Sequence, residues 1–342
     1  MKSESITIKD IANLLGLSYS TVARALKDSY QISEETKEIV RKCANEHNYR
    51  PNLMAQSLKG KKSRSIGLLS PAIPNSFFAE VISGMESVAY ERDYKIIITQ
   101  SFESQEREIK NLEHLSRHYI DGLLVSLSSE TTNYSHFKKL SEQGVPIVFF
   151  DRITDVIKTH TVSVDNEGGS YNATKHMIEC GYTKIGHITS SPDLSITKER
   201  LAGYCKALQE AKIPFKENFI KYCNHGGMIQ DEVKKGIDDL FAEEEIPDAL
   251  FTASDRITLR SFSYLHKMRF KIPEQVAIVG FSNFSDPDLF DPPLTTVKQP
   301  AYEMGKVAME LLLKLIERKS PEKYFENIVL PTELCVRKST CK

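Results

Sequence analysis

Residues 7–27 read Thr7-Ile8-Lys9-Asp10-Ile11-Ala12-Asn13-Leu14-Leu15-Gly16-Leu17-Ser18-Tyr19-Ser20-Thr21-Val22-Ala23-Arg24-Ala25-Leu26-Lys27, two short helices around a tight break. Thr7 followed three residues later by Asp10 is a capping-box pattern. Ile8, Ile11 and Leu15 fall on one apolar face, and Gly16 ends the first helix. Ser18 suits the cap of a second helix beginning at Tyr19, with Val22 and Leu26 turned inward. A third helix is expected after Ser33, with Glu34 and Glu35 at its positive end and Ile39, Val40, Cys43 and Ala44 buried. Two helices joined by three or four residues containing a glycine make a helix-turn-helix layout.

The second helix carries the chemistry. Ser20, Arg24 and Lys27 stand at i, i+4 and i+7, a polar stripe opposite Val22 and Leu26. Tyr19 and Ser20 sit at the end that meets base edges when such a helix enters a major groove. The Arg24 fork matches guanine O6 and N7. A solvated helix face has the same pattern, so charge is a useful second signal. The whole chain has a net charge of −1, but residues 1–65 hold 12 Lys and Arg against 7 Asp and Glu, which leaves the remainder acidic. A basic head on an acidic body points to a polyanion met by the head alone.

Working outward, Tyr49-Arg50-Pro51-Asn52 leads into a segment ending at Lys59-Gly60. Pro51 suits a first helical position and Gly60 a position just past the end. So short a helix is marginal alone in water. It fits a helix formed against DNA, with Leu58 as an apolar wedge for a base step and Lys59 beside it on a phosphate; a linker helix packed on the body is the other reading. From Ser65 the text changes to apolar runs alternating with amphipathic helices. Strands are expected at 66–69, 96–99, 122–126, 147–150, 184–189, 249–252, 276–281 and 295–298. Helices are expected at 77–92, 104–118, 168–179, 198–211, 256–267 and 301–318. This alternation implies an α/β fold with parallel sheets covered by helices, and the length suits two sub-domains with a cleft between them.

The 342 residues, 40% of them hydrophobic and 27% charged, are ordinary for a globular protein of two or three domains. No apolar run is long enough to span a membrane, and the polar start Met1-Lys2-Ser3-Glu4-Ser5 has no apolar core of a secretory signal, so a cytoplasmic protein is expected. Six scattered cysteines without a C-x-x-C argue against a disulfide framework or a zinc ribbon. There is no G-x-G-x-x-G, P-loop, H-E-x-x-H or nucleophile elbow. His114 and His118 stand at i, i+4 without a third ligand. No enzyme, cofactor or metal is expected.

These strings, together with Ser33-Glu34-Glu35-Thr36, Pro74-Asn75-Ser76-Phe77-Phe78-Ala79-Glu80, Asp121-Gly122-Leu123, Phe149-Phe150-Asp151-Arg152, Ser163-Val164-Asp165-Asn166, Glu199-Arg200-Leu201-Ala202-Gly203-Tyr204, Ala253-Ser254-Asp255 and Pro292-Pro293-Leu294-Thr295-Thr296-Val297-Lys298-Gln299-Pro300, resemble the lactose-repressor (LacI/GalR) family of bacterial regulators. No single string suffices; their order along nearly the whole chain does.

The resemblance implies a homodimeric repressor of carbohydrate-utilisation genes that binds a pseudo-palindromic double-stranded operator. Its parts would be a helix-turn-helix domain at 1–50, a hinge helix and linker at 51–62, and a core like a periplasmic binding protein at 63–342. Lobe 1 would take about 63–163 and 296–325, and lobe 2 about 164–295 and 326–342, with crossings near 163, 295 and 326. It implies DNA contacts from Thr7, Tyr19, Ser20, Thr21, Arg24, Lys27, Asn52, Ala55, Leu58 and Lys59. It implies a small sugar in the inter-lobe cleft, held by Asn75, Phe77, Phe78, Asp151, Arg152, Arg200, Phe251, Asp255 and Ser282. Core packing is the competing reading for Phe77, Phe78 and Phe251.

Three departures from the family pattern stand out. Ser282 replaces a usual Asp, which leaves an acidic or phosphorylated sugar as a variant of this expectation. Ala23 replaces a usual Ser and removes one phosphate contact. Leu194 and Ile196 are apolar where the purine-responsive branch is polar. The rival functions are a catabolite-control regulator that takes a phosphoprotein partner, a secreted solute-binding protein, and a sugar-metabolising enzyme.

Overall fold

The computed structural model describes residues 6–49, 63–318, 320, 322 and 324–341. The expected hinge helix, with Asn52, Ala55, Leu58 and Lys59, lies outside these residues. The chain divides into two compact units between Ser63 and Arg64.

In the first unit α1 spans Ile8–Leu15, α2 Tyr19–Ala25 and α3 Glu34–Glu46. The Thr7 hydroxyl accepts the Asp10 N–H at 3.3 Å while the Thr7 N–H donates to Asp10 Oδ2 at 2.8 Å, so the capping box is complete. Gly16 closes α1 at φ 63°, a left-handed conformation that glycine adopts without strain. Ser18 caps α2 by accepting the Thr21 N–H at 3.1 Å. Ile11, Ala12, Val22, Ala25, Val40, Cys43 and Ala44 form the core. Ile39 departs from expectation: it is 50% exposed, and its turn of α3 buries Val40 and Lys37 instead. Lys37 lies between Asp28 at 3.1 Å and Glu34 at 2.6 Å, so ion pairs fasten the α2–α3 turn.

The second unit holds two six-stranded sheets. The first contains β1 (Ser65–Ser70), β2 (Lys95–Gln100), β3 (Gly122–Val125), β4 (Ile147–Phe150), β5 (Thr161–Val164) and β11 (Asn327–Leu330), in the order β11-β5-β4-β3-β1-β2, all parallel. The second contains β6 (Ile185–Ser190), β7 (Ile220–Cys223), β8 (Ala249–Thr252), β9 (Ala277–Phe281), β10 (Thr295–Lys298) and β12 (Glu333–Cys335), in the order β12-β10-β9-β8-β6-β7, with only β12 antiparallel. Helices α4 (Ser76–Glu91), α5 (Gln105–Arg117), α6 (Ser135–Glu142) and α11 (Ala301–Glu317) belong with the first sheet. Helices α7 (Asn166–Glu179), α8 (Ser195–Glu210), α9 (Gln230–Phe241) and α10 (Asp255–Lys267) belong with the second.

The chain passes between the lobes three times. The first crossing follows Val164. The second follows Lys298, because β10 stays paired with β9 through Val297, so Gln299 and Pro300 carry the chain back. The third follows Leu330, because β11 pairs along its length with β5. The crossings expected near 295 and 326 therefore lie a few residues too early. Residues 296–298 belong to lobe 2, and 327–330 to lobe 1.

Candidate functional site

On α2, Tyr19, Ser20 and Arg24 are exposed, with Val22 and Ala25 buried behind them, and Lys27 is exposed beyond its end. Lys27 sits in the turn just past the helix end rather than on the helix. The Ser18 hydroxyl lies 2.8 Å from both the Ser20 and Thr21 hydroxyls, so helix cap and stripe form one cluster. Thr7, at the start of α1, is exposed as well.

In the core, the expected charged residues converge at the carboxyl ends of strands, where open α/β sheets bind ligands. Asp151 and Arg152 follow β4, and Asp151 is held at φ 58°. Asp255 opens α10 just past β8, and Ser282 follows β9. Arg200 lies inside α8. Its Nε donates to Asn166 Oδ1 at 2.9 Å, one Nη to the Ala253 carbonyl at 2.5 Å and the other to Gln299 Oε1 at 3.2 Å. Its guanidinium covers the Phe281 ring at 3.8 Å. Asn166 and Gln299 stand at the first two crossings, so one side chain ties both to lobe 2.

Asp255 also reaches across the cleft. Its Oδ1 accepts the Ser282 hydroxyl at 2.5 Å and the Asn283 N–H at 2.7 Å, and its Oδ2 accepts the Phe77 N–H of lobe 1 at 3.3 Å. Arg256 donates to the Pro74 carbonyl at 3.3 Å, and Asn283 donates to Glu80 at 3.1 Å. Asn75 caps α4 by accepting the Phe78 N–H. The lobes thus meet through their own hydrogen bonds.

The sequence reading missed Glu103. Its buried carboxylate takes both terminal nitrogens of Arg152, at 2.6 and 3.0 Å, and the Ser129 N–H at 2.9 Å. Glu103 stands in the loop after β2, and no motif spacing links it to Arg152. Gln299 and Asn166 stand inside quoted strings without an assigned role, and Asn283 is the neighbour of the expected Ser282.

Phe251 is a correction. It is wholly buried, stacked on His187 at 4.7 Å, because β8 is a central strand with both faces covered. Phe78 is a second correction: it packs edge-on against Phe77 and Phe150 at 5.2 and 6.4 Å, in the apolar cluster. Phe77 is in the same cluster, and its contribution to the cleft is the main-chain N–H. Leu194 and Ile196 are buried at the start of α8.

Burial pushes Asp151, Asp255 and Glu199 up from the ordinary carboxylate range, against the pull of Arg200 on all three. Burial pulls Arg200 down to about 10. Burial opposes the charge of Glu103 as well, but Arg152 outweighs it and holds that carboxyl low. Arg152 spends its fork on the Glu103 carboxylate, Arg200 and Arg256 donate to neutral oxygens, and, among the described residues, Arg260, close to Arg256, keeps a buried Nη1 without a partner. Among the described residues, the hydroxyls of Ser70, at the end of β1, and of Ser101 and Ser129, in the loops after β2 and β3, are buried without a partner, as is Arg152 Nε. A cavity of about 730 Å³ opens beside the cleft, between the β4–β5 loop, the start of α8 and β11. Among the described residues no group of three His, Cys, Asp or Glu is placed to hold a metal, and no helix is long and apolar enough to cross a membrane.

A helix-turn-helix unit with an exposed polar stripe, and two α/β lobes meeting over buried charged groups, define a ligand-responsive DNA-binding protein. The model of bacterial regulatory proteins of the lacI family matches residues 7–52, and that of the periplasmic binding protein-like domain matches residues 174–340. The chain is 35% identical to the HTH-type transcriptional repressor PurR of Vibrio atlanticus (strain LGP32), over 93% of this chain and 94% of that one. It is 33% identical to the ribose operon repressor of Haemophilus influenzae, over 97% and 98%. Among solved structures it is similar to a transcriptional regulator CelR–cellobiose complex (28% identity, TM-score 0.73, covering 98% and 99%). The lac repressor dimer bound to operator shares the fold (22% identity, TM-score 0.80, covering 99% and 100%). The chain belongs to the lacI family of bacterial regulatory proteins. It is a DNA-binding transcriptional repressor by family, not an enzyme.

Proposed function

We propose that this chain represses carbohydrate-utilisation genes in the cytoplasm, as a homodimer on a pseudo-palindromic operator, and that a small neutral sugar in the inter-lobe cleft controls its DNA affinity. Two copies of α2 read two half-sites through Tyr19, Ser20, Thr21, Arg24 and Lys27, with Thr7 at a phosphate. Asn52, Ala55, Leu58 and Lys59 complete the DNA contacts. In the cleft, Asn75, Phe77, Asp151, Arg152, Arg200, Asp255 and Ser282 surround the sugar.

The observation that carries the effector reading is that Arg152 and Arg200 already spend their terminal N–H groups on oxygens of the protein, next to buried hydroxyls that lack partners. Such a site offers single donors and acceptors rather than an open guanidinium fork, which matches vicinal hydroxyls. Leu194 and Ile196 at the start of α8 are buried apolar side chains and offer none of the polar groups a nucleobase edge needs. The names of the relatives and of the cellobiose complex are consistent with small effectors of more than one kind, so the test spans them.

Calorimetry with a panel of neutral pentoses, hexoses and disaccharides, on wild type and Arg200→Ala, is the experiment. The expected result is one sugar bound sharply against its epimers, because a lost hydroxyl leaves buried groups unpaired, with binding lost in Arg200→Ala. Binding of a nucleobase or a phosphoprotein, with no sugar bound, would overturn the effector reading and leave the DNA-binding one standing.

A further inference from the structure

Arg152 was expected to read effector hydroxyls with its fork, yet that fork is occupied. Nη1 donates to Glu103 Oε2 at 2.6 Å and to the Leu127 carbonyl at 3.2 Å, and Nη2 donates to Glu103 Oε1 at 3.0 Å. Both residues are buried, Arg152 at 7% exposure and Glu103 at 1%. Of the guanidinium nitrogens only Nε is left buried without a partner. The pair also lies where the lobes meet. Gly226, in the β7–α9 loop of lobe 2, sits so close that a Cβ there would stand 2.8 Å from Glu103 Oε1 and 3.4 Å from Arg152 Nη2. The loop holds Gly226 at φ +58° and Gly227 at φ +78°. Lobe 2 therefore closes over this ion pair with bare backbone.

We infer that Glu103 is the residue that excludes anionic effectors from this cleft: it occupies both terminal nitrogens of Arg152 and leaves Nε as a single donor for a neutral oxygen. The inference rests on the cleft being the effector site. Its chemistry is general. A guanidinium binds phosphate or carboxylate through two parallel N–H groups. With both ends of the fork on an internal carboxylate, an incoming anion meets a closed ion pair and one remaining donor in place of an open fork, and would have to displace Glu103 to gain the second. A sugar hydroxyl or ring oxygen needs only the one donor. The unpartnered Ser129 hydroxyl, on the residue whose N–H also holds Glu103, supplies a second contact. The carboxylate absent at Ser282 is thus not an invitation to an acidic sugar, because the Arg152 fork that would hold it is already filled on lobe 1.

The test is Glu103→Gln, which keeps the side-chain shape and removes the charge. Calorimetry uses inorganic phosphate, a neutral hexose and its 6-phosphate as probes, with thermal unfolding to confirm a folded variant. Wild type is expected to give no binding of phosphate or of the phosphorylated sugar. Glu103→Gln should gain affinity for both, by about tenfold or more, and Glu103→Gln/Arg152→Met should lose that gain. A folded Glu103→Gln with no gain, or a wild type that prefers the 6-phosphate to the hexose, overturns the inference. The wild-type comparison decides even if the variant does not fold. The phosphate arm needs no sugar, so a gain there with no sugar bound by either protein would refute the effector reading and uphold the role of Glu103.

Discussion

Arg24 stands exposed on α2 with two buried neighbours, Val22 and Ala25, fixing the direction of the helix face. Replacing it by alanine should weaken operator binding by about 1–3 kcal/mol and relax preference at one base pair per half-site. Binding to operator and to single-base variants measures both effects, and equal affinity with equal preference would remove Arg24 from base reading. A second side chain, His187, reports on the core. It is stacked between Tyr204 and Phe251 and donates from Nδ1 to the Phe251 carbonyl at 3.2 Å. Burial lowers its pKa from 6.5 to about 4, with the Arg200 charge adding to the effect. Between those values the unfolded chain binds a proton that the folded chain does not. Stability is therefore full above pH 6.5 and falls as pH drops towards 4, by about 3 kcal/mol from this residue. Urea unfolding at a series of pH values should show that slope, and His187→Phe should flatten it. An unchanged slope in the variant would assign the loss to other groups.

Helix crossings set the next scale. Gly84 of α4 and Gly305 of α11 bring the two backbones into contact: a Cβ on Gly84 would lie 2.0 Å from the Tyr302 carbonyl, and one on Gly305 would lie 2.0 Å from that of Val81. Because α11 begins just after the second crossing, this contact seats the crossing on lobe 1. Gly84→Ala should destabilise the core by about 3 kcal/mol, the upper part of the range for overpacking, read as a lower urea midpoint. A variant as stable as wild type would show that the helices can part at little cost. Elements with strong local signals were legible in the sequence: the capped α1 and α2, the buried central strands, and the long helices α4 and α11. Others were not. β11 and β12 are short edge strands with alternating or partial exposure, and only their partners β5 and β10 make them strands. α9 carries six charged residues and Gly236 among few apolar ones. The crossings were placed early for the same reason, since strand ends are set by pairing across the sheet. In the cleft, Asp151, Arg152, Arg200 and Asp255 were legible from quoted strings. Glu103 was not, because its role comes from a fold-level meeting with Arg152 forty-nine residues away. Phe251 and Phe78 were overread as cleft residues, since a buried aromatic and a stacking one look alike in sequence.

For the whole molecule the account joins a DNA-reading unit to a two-lobed core whose arrangement a small ligand biases. Lobe contact already runs through Asp255 to the Phe77 N–H, Arg256 to Pro74 and Asn283 to Glu80, so a ligand acts by adding to or displacing protein hydrogen bonds. Such differential binding is the only way a ligand shifts a conformational equilibrium. Linkage requires that operator and effector change each other's affinity by the same factor, about 5–150-fold for coupling of 1–3 kcal/mol. The most direct measurement is operator affinity by fluorescence anisotropy, without effector and at saturation, paired with effector affinity on free and operator-bound protein. The account predicts two shifts of equal size. An operator affinity unchanged by a ligand that calorimetry places in the cleft would contradict it.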